Sequence, residues 1–158
     1  MSAGENHGSS PSGRLLGMDV GSRRIGLAVS DPMGITAQGI ETLERKNKKN
    51  DFAVLQRVIR KYDVQEIVMG DPLKMSGEAG SQSEKMASFA EEVRRRFSLP
   101  VHLWDERLTT AEAHRILDET EMSIRRRGQV IDQMAAVLIL QSFLAARSVR
   151  AHNSFTRE

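Results

Sequence analysis

The chain has 158 residues, a length that is typical of a single domain. Hydrophobic residues make up 39% of it and charged residues 28%, which predicts a globular protein with a buried core and argues against general disorder and against a membrane protein. The absence of cysteine excludes disulfide frameworks, thiolate nucleophiles and zinc sites built on cysteine. Only 4% of the residues are aromatic, which is too few for a platform that stacks nucleic-acid bases.

The formal net charge of +2 is too small to indicate a polyanionic partner, but the basic residues are clustered along the chain. The clusters are Arg23-Arg24, Arg45-Lys46, Lys48-Lys49, Arg94-Arg95-Arg96 and Arg125-Arg126-Arg127. Several clusters on one face of the fold would bind phosphates by displacing condensed counterions. Each cluster taken alone is more often a solvated loop or helix face.

The first part of the chain, residues 1–13, is rich in Gly and Ser and is predicted to be a flexible leader. It has neither a basic start nor an apolar segment, so no secretory signal is predicted and a cytoplasmic protein is expected. The folded domain is predicted over residues 14–150, and a tail over residues 151–158.

Three short apolar runs open the predicted domain, at residues 15–20, 25–29 and 35–43. Turn-forming residues separate them, Gly-Ser after the first run and Asp-Pro-Met-Gly after the second. Short runs between turns predict strands, and their close succession predicts an antiparallel meander.

The hydrophobic period then changes to that of a helix. Apolar residues from Phe52 to Ile59 recur every three or four positions, which predicts a helix with Asp51 as its N-cap and its end near Tyr62. A short buried strand is predicted at residues 66–70.

Strands and helices alternate in the rest of the chain. A second helix is predicted from Ser81, which has capping-box spacing with Glu84, to the turn before Pro100. Residues 101–104 are predicted to form a fifth strand.

A capping box, Thr109 with Glu112, predicts the start of a third helix, and the charged residues 118–128 are predicted to form a loop. A last, strongly apolar helix is predicted from Val130 to about Arg147. The order βββαβαβαα predicts an α/β fold, a five-stranded mixed sheet with helices on both faces.

Three acidic residues stand at informative positions. Asp19 lies inside an apolar strand, where a carboxylate needs a hydrogen bond, an ion pair or a metal. Glu106 follows the fifth strand and Asp132 lies at the predicted start of the last helix, so the sheet could gather all three acids at one edge. In the alternative interpretation, the negative charge of Asp132 interacts favourably with the dipole at the N-terminus of the helix, and Glu106 forms an ion pair with a basic residue such as Arg107.

Four segments in chain order carry a resemblance to a known family. They are GMDVGSRRIGLA at residues 17–28, GDPLKMSG at 70–77, DERLTT at 105–110 with Glu112-Ala113, and VID at 130–132 with Ala135-Ala136. Together they resemble the YqgF (RuvX) family of bacterial nucleases, which have the RNase H-like fold. Members are described as Holliday junction resolvases or as nucleases that mature the 5′ end of pre-16S ribosomal RNA.

The resemblance implies that Asp19, Glu106 and Asp132 are the catalytic acids, because each falls on a motif position that carries an acid in the family. It implies a two-metal site in which these carboxylates hold Mg²⁺ or Mn²⁺. It also implies a nucleic-acid partner, with the protein as a monomer or a homodimer. The basic residues expected to contact that partner are Arg23, Arg24, Arg107, Arg125, Arg126 and Arg127.

The sequence departs from the family pattern at two positions. Asp71 stands where an apolar residue is usual, at the predicted end of the fourth strand, and is a candidate for a further metal ligand. Gln129 stands where a Lys is common and lacks its charge, and the arginines at residues 125–127 are expected to take over that phosphate contact.

The resemblance favours maturation of pre-16S ribosomal RNA as the function. A Holliday junction resolvase and a non-catalytic nucleic-acid-binding module are the alternatives. The segment Asp19 to Ser22 also resembles the first phosphate motif of actin-like ATPases, but those proteins enclose their nucleotide between two such domains and this chain has the length of one.

Overall fold

The computed structural model of the chain describes residues 13–71, 80–105 and 124–156. The strands are β1 (Arg14–Val20), β2 (Arg24–Ser30), β3 (Ala37–Glu44), β4 (Val64–Asp71) and β5 (Val101–Asp105). The helices are α1 (Lys48–Lys61), α2 (Gly80–Phe97) and α3 (Ile124–Thr156). The helix predicted from Thr109 lies outside the described residues.

The five strands form one sheet in the order β3-β2-β1-β4-β5. Strand β2 is antiparallel to both of its neighbours, β1 and β3, whereas β4 is parallel to β1 and β5 is parallel to β4. This topology confirms the predicted mixed sheet. It also places the carboxyl ends of β1, β4 and β5 at one edge, because those three strands run in the same direction.

Helices α1 and α2 cover one face of the sheet. The buried side chains on this face include Leu16, Met18, Ile25, Leu27, Ile67 and Met69 from the strands, Phe52, Leu55 and Val58 from α1, and Met86, Ala90 and Val93 from α2. Each large side chain fully buried in such a core contributes roughly 1.5–3 kcal/mol through apolar surface removed from water.

Helix α3 covers the other face. Its buried residues Ala136, Ile139, Leu140, Phe143 and Leu144 pack on Leu15, Ala28 and Val68 of the sheet. The segment Val130–Ser148 is long and apolar enough to cross a membrane by length and composition alone. Its apolar side chains form the core on this face, so packing on the sheet accounts for its composition.

The ends of two helices differ from the sequence-based prediction. The N-cap of α1 is Asn47, whose side chain accepts a hydrogen bond from the Asn50 amide at 2.8 Å. Asp51 lies one turn later, where it is 4% exposed and its Oδ1 accepts a hydrogen bond from the Lys46 amide at 3.1 Å. Asp51 therefore joins the helix to the preceding loop, and the prediction that it is the N-cap was wrong.

Helix α3 begins at Ile124 and ends at Thr156, beyond both predicted limits. The loop predicted for residues 118–128 is therefore wrong from Ile124 onward, and the helix also enters the predicted tail. The charges of residues 125–127 suggested a loop, but arginine has a high helix propensity and here continues the helix toward its N-terminus.

Glu66 on β4 connects the second half of α3 to the sheet. Its carboxylate accepts hydrogen bonds from Nη1 and Nη2 of Arg147 at 3.1 and 2.8 Å, and it lies 2.9 Å from Nε2 of His102. The ring of Phe143 supports both partners, 4.8 Å from the Arg147 guanidinium and 5.0 Å from the His102 ring. The hydrogen bonds from Arg147 hold the pKa of Glu66 below its ordinary value of 4.5, although partial burial opposes them.

We expect Glu66→Gln to lower the free energy of unfolding at pH 7 by about 1 kcal/mol, because it removes a charge-assisted pair. The pKa of Glu66 is lower in the folded chain than in the unfolded chain. The stabilisation that its ionised carboxylate gives to the folded state is therefore complete above pH 4.5, and it is lost as the pH falls through the pKa of the folded state. Thermal melts of the variant and the wild type should therefore converge as the pH is lowered from about 6 to about 3.

The control is Glu41→Gln, which removes an exposed pair with Arg57 at 3.1 Å and should shift the melting temperature less. If the melting temperature of Glu66→Gln stayed below that of the wild type by the same amount over the whole pH range, the electrostatic interpretation of this contact would be contradicted.

Candidate active site

Asp19 lies near the carboxyl end of β1, the central strand of the sheet. Alternation along β1 puts Leu16 and Met18 against α1 and α2, and Leu15 and Gly17 against α3. The side chain of Asp19 is therefore on the α3 face, where the residue is half-buried.

Asp132 of α3 approaches Asp19 because Gly26 leaves room for it. Gly26 on β2 is the register partner of Asp19, and the backbone of Asp132 occupies the space that a side chain on Gly26 would fill. A Cβ on Gly26 would lie 3.0 Å from the Cβ of Asp132. Opposed Cβ positions in an antiparallel pair are about 5 Å apart, so the Cβ atoms of Asp19 and Asp132 lie within roughly 8 Å of each other.

Asp132 also has a basic partner on the sheet. Nε of Arg24, at the start of β2, donates a hydrogen bond to Oδ2 of Asp132 at 2.7 Å. The two side chains are 34% and 20% exposed, so the pair is partly shielded from solvent.

The position of Asp132 in α3 argues against the interpretation that this residue serves the helix dipole. The helix begins at Ile124 and has no acid in its first turn, so Asp132 lies well inside it. The helix dipole acts mainly within the first and last turns and does not account for this carboxylate.

Asp71 lies at the same edge of the sheet as Asp19, but its side chain is on the opposite face. Along β4, Ile67 and Met69 pack on the α1 and α2 side and Val68 packs on α3, so alternation puts Asp71 on the α1 and α2 side. It is the register partner of Asp105, and its Oδ1 atom is inaccessible to solvent. This placement disfavours a role for Asp71 beside Asp19.

Several predicted site residues lie beyond what the structure describes. Glu106 and Arg107 are outside the described residues, and for residues 125–127 the backbone, in the first turns of α3, is described but the side chains are not. Arg23 is exposed on the turn between β1 and β2. Within residues 13–71, 80–105 and 124–156 there is no cluster of three metal-ligating side chains. Two of the three predicted acids, Asp19 and Asp132, lie near each other on one face of the sheet.

Two contacts of this site were not predicted from the sequence. Arg24, which is predicted to contact nucleic acid, forms an ion pair with Asp132. Gly26 admits the backbone of Asp132 because it has no side chain. Alternation along β2 could have placed Arg24 and Gly26 on one face, but only the packing of α3 shows what faces them.

Comparison with known proteins supports one family. A profile described as RuvX, Holliday junction resolvase, matches residues 13–146. A protein of Koribacter versatilis named "Putative pre-16S rRNA nuclease" is 56% identical over 137 residues, which cover 87% of this chain and 90% of that protein. A protein of Moorella thermoacetica with the same name is 50% identical over 131 residues, covering 83% and 94%.

Among solved structures, RuvC of T. thermophilus in complex with a Holliday junction substrate is similar to this chain. The TM-score is 0.54 at 15% identity, and the match covers 85% of this chain and 96% of that chain. At this identity the likeness shows the fold alone, and it confirms the predicted RNase H-like fold. Because the profile spans most of the sequence and these relatives share half or more of the aligned residues, the chain belongs to the RuvX (YqgF) family.

Proposed function

We propose that the protein is a metal-dependent nuclease that hydrolyses phosphodiester bonds in the cytoplasm, and that its substrate is the 5′ end of pre-16S ribosomal RNA. The observation that carries the proposal is the convergence of Asp19 and Asp132 on one face of the sheet edge. The prediction of a nuclease is confirmed at the level of the family, since the matched relatives are named as nucleases and the profile as a resolvase.

The residues at this site fit a divalent cation. The donors are carboxylate oxygens, which Mg²⁺ and Mn²⁺ prefer. Gly26 provides the close approach that brings the second carboxylate to the first, and Arg24 keeps that carboxylate oriented. We assign Asp19 and Asp132 as ligands and leave Asp71 out of the set, because it lies on the other face.

Glu106 is proposed as the third carboxylate on the basis of its position in the sequence. It directly follows Asp105, the last residue of β5. His102 and Trp104 contact Phe143 of α3, so even-numbered positions of this strand face α3. Its place in the proposed ligand set rests on the motif DERLTT at residues 105–110, which this chain shares with the family.

A bound divalent cation would polarise the scissile phosphate and lower the pKa of a water that attacks it. The chain itself supplies position and charge. Asp19 is fixed on the central strand of the sheet, and Asp132 is fixed by Arg24 and by its contact with Gly26. Converging carboxylates repel each other, and the guanidinium of Arg24 offsets part of that repulsion until a cation binds.

We expect Asp19→Asn to lower the cleavage rate by about 10³-fold or more, because a neutral amide binds a cation far more weakly than a carboxylate does. Affinity for uncleaved nucleic acid should change less than about threefold, because the basic surface is intact. The measurements are cleavage of a 5′-extended ribosomal RNA precursor in Mg²⁺ and in Mn²⁺, with EDTA as the blank, and fluorescence anisotropy for binding.

Asp63→Asn is the matched control, because it makes the same chemical change just before β4, at the other end of the sheet, and Asn also tolerates the positive φ of 52°. If Asp19→Asn lost binding and cleavage in equal measure, the carboxylate would have a structural role. If it cleaved like the wild type, the proposed site would be wrong.

The same assay run on a four-way DNA junction decides between the substrates. Faster cleavage of the ribosomal precursor supports the proposed function. Two symmetric cuts in the junction would instead support a resolvase, which the profile's description favours and which would act as a two-fold dimer.

A second prediction concerns Arg24. Without metal, Arg24→Ala should lower the melting temperature by roughly 2–4 °C, equivalent to about 1 kcal/mol, because Asp132 loses its counter-charge. The rise in melting temperature on adding Mn²⁺ should be larger in the variant than in the wild type, because the cation then relieves more repulsion.

Arg23→Ala is the control for this measurement. Arg23 is exposed on the same turn, and removing it should leave both melting temperatures close to those of the wild type. A smaller Mn²⁺ response in Arg24→Ala than in the wild type would show that Arg24 acts chiefly by holding Asp132 in place for the ion.

A further inference from the structure

A groove lies on the face of the sheet opposite Asp132, beside the turn between β1 and β2. It has a volume of about 470 Å³, and its floor is formed by Val20, Met86 and Phe89. Its walls carry Ser22 of the turn, Arg45 of the loop before α1, and Lys85 of α2. The described lining residues thus include two cations and no acid, which suits an anionic ligand.

Arg45 is a fixed part of this groove. Its Nη1 donates a hydrogen bond to the carbonyl of Gly21 at 2.7 Å, and its amide donates one to the carbonyl of Arg23 at 2.8 Å. Its guanidinium lies 5.2 Å from the ring centre of Phe89 and 3.5 Å from the carboxylate of Asp51. These contacts join the turn to α1 and α2, and Asp51 neutralises part of the charge.

Lys85 supplies the remaining charge. It is exposed at the start of α2, and no ion pair is found for it within the part of the chain that the structure describes. Further toward α1 the groove continues past Lys48, Glu84 and Glu92, where Lys48 and Glu92 form an ion pair at 3.2 Å. Among the described residues that line the end of the groove near the turn, positive charge therefore exceeds negative charge.

This end of the groove is next to the proposed catalytic site. Val20 lines the groove and directly follows Asp19, so their Cα atoms are about 3.8 Å apart and their side chains lie on opposite faces of β1. A polymer with regularly spaced phosphates that crosses the end of β1 would meet the acids on one face and Lys85 on the other.

We propose that this groove binds a backbone phosphate of the nucleic-acid strand whose neighbouring phosphate lies at Asp19, with Lys85 as the contacting cation. The proposal rests on the proposed function for the identity of the ligand. It adds a second phosphate site, on the face of the sheet that α1 and α2 cover. It also gives the nucleic-acid strand a path, over the turn at residues 21–23.

The test measures binding without cleavage. In the Asp19→Asn background, the affinity for a labelled 5′-extended ribosomal RNA precursor is measured by fluorescence anisotropy at several salt concentrations. Lys85→Ala should weaken binding about 3- to 10-fold and reduce the slope of log K against log salt by about 1, since one phosphate contact is lost. Lys85→Arg should restore most of the affinity.

The matched control is Lys61→Ala, which removes the same charge from the last turn of α1, where the ammonium lies over the ring of Tyr62. The proposal is overturned if Lys85→Ala leaves affinity and salt slope unchanged, or if Lys61→Ala changes them equally. It is also overturned if inorganic phosphate binds in a Lys85-dependent way while RNA binding does not depend on Lys85, because the groove would then be a site for a small anion.

The experiments distinguish failure of the second phosphate site from failure of the proposed nuclease function. Binding in this assay needs no catalysis, so Lys85 could prove essential in a chain that cleaves nothing. Conversely, Asp19→Asn could abolish cleavage while Lys85→Ala has no effect, and only the second phosphate site would then be lost.

Discussion

The site depends on how closely α3 lies against the first hairpin of the sheet. A Cβ on Gly17 would be 2.9 Å from the Cβ of Leu140, and one on Gly26 would collide with the backbone of Asp132. Because these two positions carry no side chain, the helix backbone rests directly on β1 and β2. Any larger residue at Gly26 would push Asp132 away from Asp19, so a packing constraint between apolar surfaces sets the separation of two charged groups.

This arrangement has an electrostatic consequence. The apolar packing of α3 fixes Asp132 near a second carboxylate whether or not a cation is present, and like charges at such a distance disfavour the folded state. The short contact from Arg24 offsets that repulsion, and it comes from the same strand as Gly26. One stretch of β2 therefore both brings the acid to the site and balances its charge.

The sequence predicts the sheet and the position of Asp19, because strand patterns and single acidic residues can be recognised within a short stretch of the chain. Asp19 was recognisable because a carboxylate interrupts an apolar strand, and the order of the elements predicted the sheet. The limits of α3 were not predictable from local charge, because arginine suits both a solvated loop and the first turns of a helix. The partner of Arg24 was not predictable either, since it is more than one hundred residues away in the chain.

Alternation along β1 explains how one strand end can serve two tasks. Successive residues point to opposite faces, so Asp19 belongs to the α3 side and Val20 to the side of α1 and α2. On the first side Asp19 lies near Asp132, whose carboxylate is paired with Arg24, and on the second side the groove is lined by the cations of Arg45 and Lys85. The sheet backbone separates Lys85 from Asp19 and Asp132, and the described groove residues on its own side that lie near the turn include no acid. In the proposed arrangement, a polyanion that crosses this strand end has one phosphate at the acids and the next at Lys85, on the other face.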